Sequence, residues 1–285
     1  GGSTLNDGGG IYAAGNVVLE ESTVEANLYG SNGGGIYTEG DLSLSSSTIA
    51  FNSAGGVGGG AAAEGNIFAV NSTVDRNDAG DAGGGLASEL MIQLDYVTIT
   101  QNDAPAGANL YAGSIDSFAS VIAEAFGGPN CAMGATVSGG YNFSDDASCG
   151  LADVTDRENA GSPLLNPLGF EPQDPVGSTP VRLPDGGSPL TNMIPTGTAG
   201  CAGNDQRGVP RPQGPGCEPG AVEIRQIVAT PGSYATPPGV PIDIDLTLLV
   251  IDPDNQWFGG TTQIFWTSNI GDAVLIDEAG GVRYS

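Results

Sequence analysis

Glycine triplets at Gly8-Gly9-Gly10, Gly33-Gly34-Gly35, Gly58-Gly59-Gly60 and Gly83-Gly84-Gly85 recur every 25 residues, which makes the first third of this chain a tandem repeat. Other columns keep the same interval. Ser22-Thr23-Val24, Ser47-Thr48-Ile49 and Ser72-Thr73-Val74 repeat together, and Asn27, Asn52, Asn77 and Asn102 hold one position throughout. Between the glycines the columns Val17/Leu42/Ile67/Ile92, Leu19/Leu44/Ala69/Leu94 and Val24/Ile49/Val74/Ile99 are apolar, and Ser22/Ser47/Ser72/Val97 falls in the same phase. The intervening columns, such as Glu20/Ser45/Val70/Asp95 and Thr23/Thr48/Thr73/Thr98, are mixed and mostly polar. Such period-two alternation is the mark of strands with one buried face. A helical repeat would need apolar residues three and four apart and would not tolerate three glycines in each unit.

Stacking each unit on the last, at the roughly 4.8 Å spacing of neighbouring strands, turns every column into a ladder of like residues. Glycine supplies the positive φ of sharp corners, and the asparagine column forms an amide ladder at another corner. The expected fold is all-β: a right-handed parallel β-helix with 25-residue, pectate-lyase-like rungs over residues 1–125. Its handedness follows from the general chirality of parallel crossovers. The repeat then shortens. Leu110-Tyr111 answers Ile36-Tyr37 one residue early, and Ser120-Val121-Ile122 reads as the strand of a still shorter rung.

The stretch Ser138-Gly139-Gly140-Tyr141-Asn142-Phe143-Ser144-Asp145-Asp146 is followed by Ser148-Cys149-Gly150-Leu151 and then by Gly187-Ser188-Pro189. Further on come Asp205-Gln206-Arg207-Gly208-Val209-Pro210-Arg211-Pro212, Cys217 and Gly220-Ala221-Val222-Glu223. Together with the Gly-Gly-Gly-Ile-Tyr rungs, this set resembles the choice-of-anchor Q family of bacterial surface proteins. The rungs alone are also similar to those of polymorphic outer-membrane proteins. The match covers roughly residues 1–224, and it departs where Gly187-Ser188-Pro189 continues as Leu190-Thr191-Asn192 in place of the family's more usual Ala-Ile-Asp. The resemblance implies a secreted or surface-displayed protein held to the envelope by a separable anchor. It implies no reaction.

Cys131, Cys149, Cys201 and Cys217 all lie in residues 126–225, expected to be an irregular cap of the β-helix. Of three possible pairings, the sequence-local Cys131–Cys149 and Cys201–Cys217 is the one expected, since this loop-rich segment has little periodic core to hold it. Disulfides place the chain outside the cytoplasm, at the cell surface or beyond. Residues 226–285 alternate as short strands at Ile242–Leu246, Thr262–Trp266 and Ala273–Ile276 after a proline-rich linker, which predicts an Ig-like or cadherin-like sandwich segment. About sixty residues is short for that fold, so a partial domain is expected.

The formal net charge is −26, with no lysine and no histidine. Phosphate backbones and anionic lipid surfaces are repelled, which argues against nucleic-acid and membrane partners. Missing histidine and lysine remove the commonest general base and Schiff-base chemistry. No apolar run is long enough to span a bilayer.

Several groups have the residue types that chemistry would need. Asp75, Asp78 and Asp81 beside Arg76 have the spacing of a cation-holding turn with an arginine base, as in pectate lyases on this fold; a solvated acidic loop is the preferred reading. Glu39 and Glu64 stack one rung apart like a glycosidase pair, as any column of this fold would. Arg207 and Arg211, near Asp205 and Glu218, fit a substrate clamp or, preferably, a salt-bridged loop closed by Cys201–Cys217. Asp252, Asp254 and Asn255 carry the alternating oxygen ligands of a calcium turn, with Asp243 and Asp245 as additions, so this is the best candidate metal site and Ca2+ the one cofactor the sequence suggests. The threonine column raises ice binding, which the neighbouring Glu25/Ala50/Asp75/Thr100 column argues against. Asn71 and Asn142 fall in N-glycosylation patterns that are not expected to be used.

The expected function is a non-catalytic structural or adhesive β-helix at the cell surface, with other copies of itself or an envelope glycan as partner. Two alternatives accompany it. The first is a filament subunit joined head to tail through strand edges, since Ser3-Thr4-Leu5-Asn6 reads as an uncapped half-rung. The second is a polysaccharide lyase or hydrolase on the same coil.

Overall fold

The structure, a computed structural model, describes residues 7–28, 30–170, 174 and 178–225, and the backbone of five short strands between 228 and 284. The chain divides into two compact units, Gly1–Ile224 and Arg225–Ser285. The first is a parallel β-solenoid of about five turns, with no helix among the described residues. One wall stacks Ile11–Ala13, Ile36–Thr38 and Ala61–Ala63 in register. A second stacks Val17–Glu20, Leu42–Ser45 and Ile67–Val70. The third is built from Thr23–Glu25, Thr48–Ala50, Thr73–Asp75, Thr98–Thr100 and Val121–Ala123. Leu42, Ile49, Ile67, Val74, Ile92 and Ile99 point inward and are buried in one continuous core. Where the corner glycines Gly15, Gly40 and Gly65 give way to Leu90, the first two walls fuse into the single strand Leu86–Asp95.

The first and third glycines of a triplet have different reasons. The first sits at positive φ, 60° at Gly33 and 69° at Gly58. The third leaves room for the asparagine ladder: a Cβ on Gly60 would come within 3.0 Å of Asn77 Cγ. In that ladder the Nδ2 of Asn27, Asn52 and Asn77 donates to the Oδ1 of the next asparagine at 2.9 Å. The next rung moves the ladder into the glycine column. Asn109 stands where glycine stood, its Oδ1 accepts from Asn102 at 2.8 Å, and its Nδ2 passes the ladder to Asn130 at 2.7 Å. Serine forms a second ladder, the amides of Ser22 and Ser47 donating to the hydroxyls of Ser47 and Ser72.

Rung shortening occurs at corners. Asp78 lies opposite Asp103, 25 residues on, but Ala82 lies opposite Ala106, so one residue is lost where Pro105 turns the chain. A second is lost between Ser88 and Met91, where the register with Ala112 and Ser114 shifts. The coil also runs past residue 125, where the rungs were expected to end. Cys131–Gly140 pairs with Leu110–Phe118, and Phe143–Ser144 pairs with Val121–Ala123. Asn130, Cys131 and Phe143 take over interior positions, so stacking survives after glycine periodicity has gone.

The cysteines pair as Cys131–Cys149 and Cys201–Cys217. From about residue 178 to 223 the chain doubles back as a strap across the outside of the third wall, which buries Thr48, Thr73 and Thr98. The threonine column is therefore not a solvent-facing rank. In the second unit, Val228–Ala229 pairs with Val250–Ile251, and Gly281–Tyr284 pairs with Ile242–Asp245 and Ala273–Leu275, all antiparallel. The proposed calcium ligands Asp252, Asp254 and Asn255, the strand expected at 262–266 and the first half-rung at 3–6 lie outside the described residues.

Candidate functional site: the strap and the recesses it forms

The third wall is polar on its outer side because another segment must bond to it. Thr48 Oγ1 donates to the Pro180 carbonyl at 2.7 Å, Thr73 Oγ1 donates to Gln206 Oε1 at 2.7 Å, and Gln206 Nε2 donates back to Thr48 Oγ1 and Thr179 Oγ1. Thr98 Oγ1 accepts from the Ala221 amide. Two residues beyond Thr73, Asp75 is fully buried and pairs with Arg182, Nε to Oδ1 2.8 Å. Its Oδ2 has no hydrogen-bond partner, and Arg76 Nε stands 3.9 Å away. Burial raises the Asp75 pKa above the ordinary carboxylate range, and the charge and hydrogen bond of Arg182 only partly offset this.

A second knot of charge closes the strap. Arg207 is held by Asp205, Nη2 to Oδ2 2.9 Å, and also reaches the Glu223 carbonyl. Arg211 lies over the Tyr96 ring at 4.1 Å, donates to Asn71 Oδ1 and to the Asn204 and Gly220 carbonyls, and stands 3.6 Å from Glu223. Burial lowers the Arg211 pKa, opposed by Asp205 and Glu223. Glu218 is pushed up to about 7 by burial and by the Glu223 charge beside it. It nevertheless accepts the amides of Asn192 and Ile224, so it ties the strap to the last residue of the first unit. Glu223 is raised as well, chiefly by burial. Arg207 and Arg211 are thus both buried and internally engaged, which is the salt-bridged loop and not the clamp.

Where the strap meets the rungs it leaves two adjoining recesses of 320 and 450 Å3. Both are lined by Asn71 and Asn204, whose contact, Nδ2 to carbonyl 3.0 Å, divides them. The rung side is one corner column, Glu21, Ser46, Asn71 and Tyr96, with φ of 44°, 48°, 44° and 54°. Non-glycine residues in this left-handed region are uncommon. Here each is held by an amide bonded to the next rung, as Asn71 is to the Asp95 carbonyl at 3.0 Å. The smaller recess is polar, bounded by Glu21, Ser46, Thr179 and Asn204–Gly208. The larger is aromatic and glycine-lined, with Tyr96 and Phe118 edge to face at 5.7 Å, Val70, Gly200 and Gly203. Asp95 sits at its rim with its pKa raised, first by burial and then by Asp116. A reading by repeat columns misses this site, because its far wall comes from residues more than a hundred positions away and its corner carries no glycine.

The remaining candidates separate. Asp75, Asp78 and Asp81 do not converge: Asp75 is beneath the strap, whereas Asp78 is exposed and accepts from Ser53. No group of three metal-ligating residues occurs among the described residues. Arg76 lies over Phe51 and donates to Gln101. Glu39 and Glu64 each accept a tyrosine hydroxyl, from Tyr12 and Tyr37, whose rings stack at 5.8 Å; these bonds raise both phenols. Asn142 is buried, and Asn71 is bonded to Arg211 and Asn204. Among the described residues no helix is long and apolar enough to cross a membrane. In comparisons with family models, curated proteins and solved structures, the chain matches none.

Proposed function

We propose that this chain is a non-catalytic structural or adhesive β-helix protein of the cell surface, similar to the choice-of-anchor Q proteins, and that its strap-covered wall contacts a glycan. The observation that carries this reading is the use made of charge. Asp75 with Arg182, and Asp205, Glu218 and Glu223 with Arg207 and Arg211, join the strap to the coil and to itself. A hydrolase or lyase needs such groups facing a substrate. Here their partners are protein atoms, and the recesses beside them have the amide, hydroxyl and aromatic surface of a binding site. The two disulfides fit maturation in an oxidising compartment.

The test is to display the full chain on cells, confirm exposure by protease shaving, and measure retention on polysaccharide-coated surfaces. Retention without release of reducing ends or unsaturated sugar is the expected result. Turnover of any polysaccharide would replace the adhesive reading with the enzymatic one.

A further inference from the structure

We propose that the two adjoining recesses form one site for a neutral oligosaccharide, with a sugar ring against the half-exposed Phe118 and Val70 and the next units along Asn71, Ser46 and Glu21. This deepens the adhesive reading and rests on it for the choice of ligand class.

Four observations carry the assignment. First, each recess falls within the range of roughly 300–1,000 Å3 occupied by small-molecule sites. Second, the lining divides as a sugar divides. Phe118, Val70 and glycine face the larger recess, with Tyr96 buried behind them, suiting the C–H face of a pyranose, whereas carboxylate, hydroxyl and amide groups face the smaller one, suiting its hydroxyl rim. Third, Glu21, Ser46 and Asn71 occupy the same corner of successive rungs, which places polar groups at intervals of about 4.8 Å, close to the length of one pyranose unit. The repeat of the protein thereby matches the repeat of a polymer, and a compact metabolite would use only one end.

The fourth observation argues against an anionic ligand. Arg207 and Arg211, the two cations that line the recesses, are turned inward onto Asp205, Glu223 and backbone carbonyls. An anionic sugar would meet Glu21 and Asp95 within a chain of net charge −26 and find no guanidinium to bind it. A neutral sugar meets acceptors for its hydroxyls and carries no charge to be repelled. Orientation is built in, since Arg211 bonds Asn71 and lies on Tyr96, fixing the two residues at the junction of the polar and aromatic halves.

The experiment is calorimetric titration of the full chain with hexamers of glucose, xylose, mannose and N-acetylglucosamine. Hexamers of galacturonate and glucosamine serve as charged counterparts. At least one neutral hexamer should bind, with an affinity unchanged between low and high salt. Ala202→Trp, on an exposed loop position lining the larger recess, should weaken it at least tenfold by filling the aromatic half. Glu21→Gln should weaken it severalfold from the opposite end, and both variants should keep the parent melting temperature. Binding that both variants leave untouched, preference for a charged hexamer that persists at high salt, or no binding of any neutral hexamer would each overturn the inference. If cells still adhere to polysaccharide in the last case, the adhesive reading survives without this site. Hexamer binding lost in the variants while cells fail to adhere would sink that reading and leave the site.

Discussion

Asn52 does in its rung what Asn77 does in the next: each donates to the asparagine above and leaves its neighbours identical surroundings. In the strap no residue repeats another's task. Arg182 is opposed to one aspartate 107 positions away, Gln206 is bonded to three separate segments, and Cys201 is joined to one cysteine. The coil draws its stability from many equivalent apolar and amide contacts, so the loss of one is spread over nearest neighbours. The strap depends on a few buried polar pairs, each of which is expensive to leave half-made. Recesses arise where the two meet, because the strap's irregular outline cannot close evenly on a regular wall.

Four measurements would break or sharpen this contrast. The largest effect belongs to the coil interior: Ile49→Asp sets an unpaired carboxylate between Val24 and Val74, in a fully buried position, and should destabilise by more than about 4 kcal/mol. A melting temperature equal to the parent's would mean that this column does not face the core.

Next comes Arg182→Met, which leaves Asp75 buried without its cation and should cost about 3–5 kcal/mol. Adding Asp75→Asn should restore most of the loss, since the penalty lies in the orphaned charge. A double variant no more stable than the single one would show that Arg182 acts through packing instead.

Breaking Cys201–Cys217 by replacing both with serine should cost about 3 kcal/mol in the chain-entropy picture of a short loop. The expected signature is early loss of amide protection around residues 192–223, with the rung amides unchanged. Simultaneous loss of protection in the rungs would make coil and strap one cooperative unit and remove the distinction.

The smallest effect is on pH. Glu218 has a folded pKa of about 7 against an ordinary 4.5, so between those values the folded chain holds a proton that the unfolded chain has released. Stability from this group is therefore greatest at the acid end of that window and falls as pH rises through it. The strap should melt at a higher temperature at pH 5 than at pH 8. General relief of negative charge acts in the same direction, so the control is Glu218→Gln, whose melting temperature should vary less with pH than the parent's. An equal pH dependence in the two would assign the effect to overall charge.

The extent to which sequence anticipates this molecule varies by column. Strand phase, the inward residues and the glycine corners follow from alternation and period alone. Asn109 does not, because it occupies the glycine column and delivers its amide to the asparagine column, a shift visible only where the two positions touch. The corner at Glu21, Ser46, Asn71 and Tyr96 is hidden for a related reason: bonding between rungs stabilises positive φ without glycine, so the residue type carries no signal. The threonine column misleads in an instructive way. Alternation correctly turns it away from the core, but outward is not the same as exposed once another segment lies across it.

Sequence by itself therefore determined the coil, since stacking gives every residue of a column the same environment and one period of local pattern specifies all of its copies. Only tertiary structure decided what covers the third wall, where the charges are buried and where a ligand could enter. Those outcomes rest on single complementarities between distant segments, such as Gln206 with Thr48 and Arg182 with Asp75. Neither partner of such a pair announces the other, because the polar interaction gains its strength only when both are withdrawn from water together.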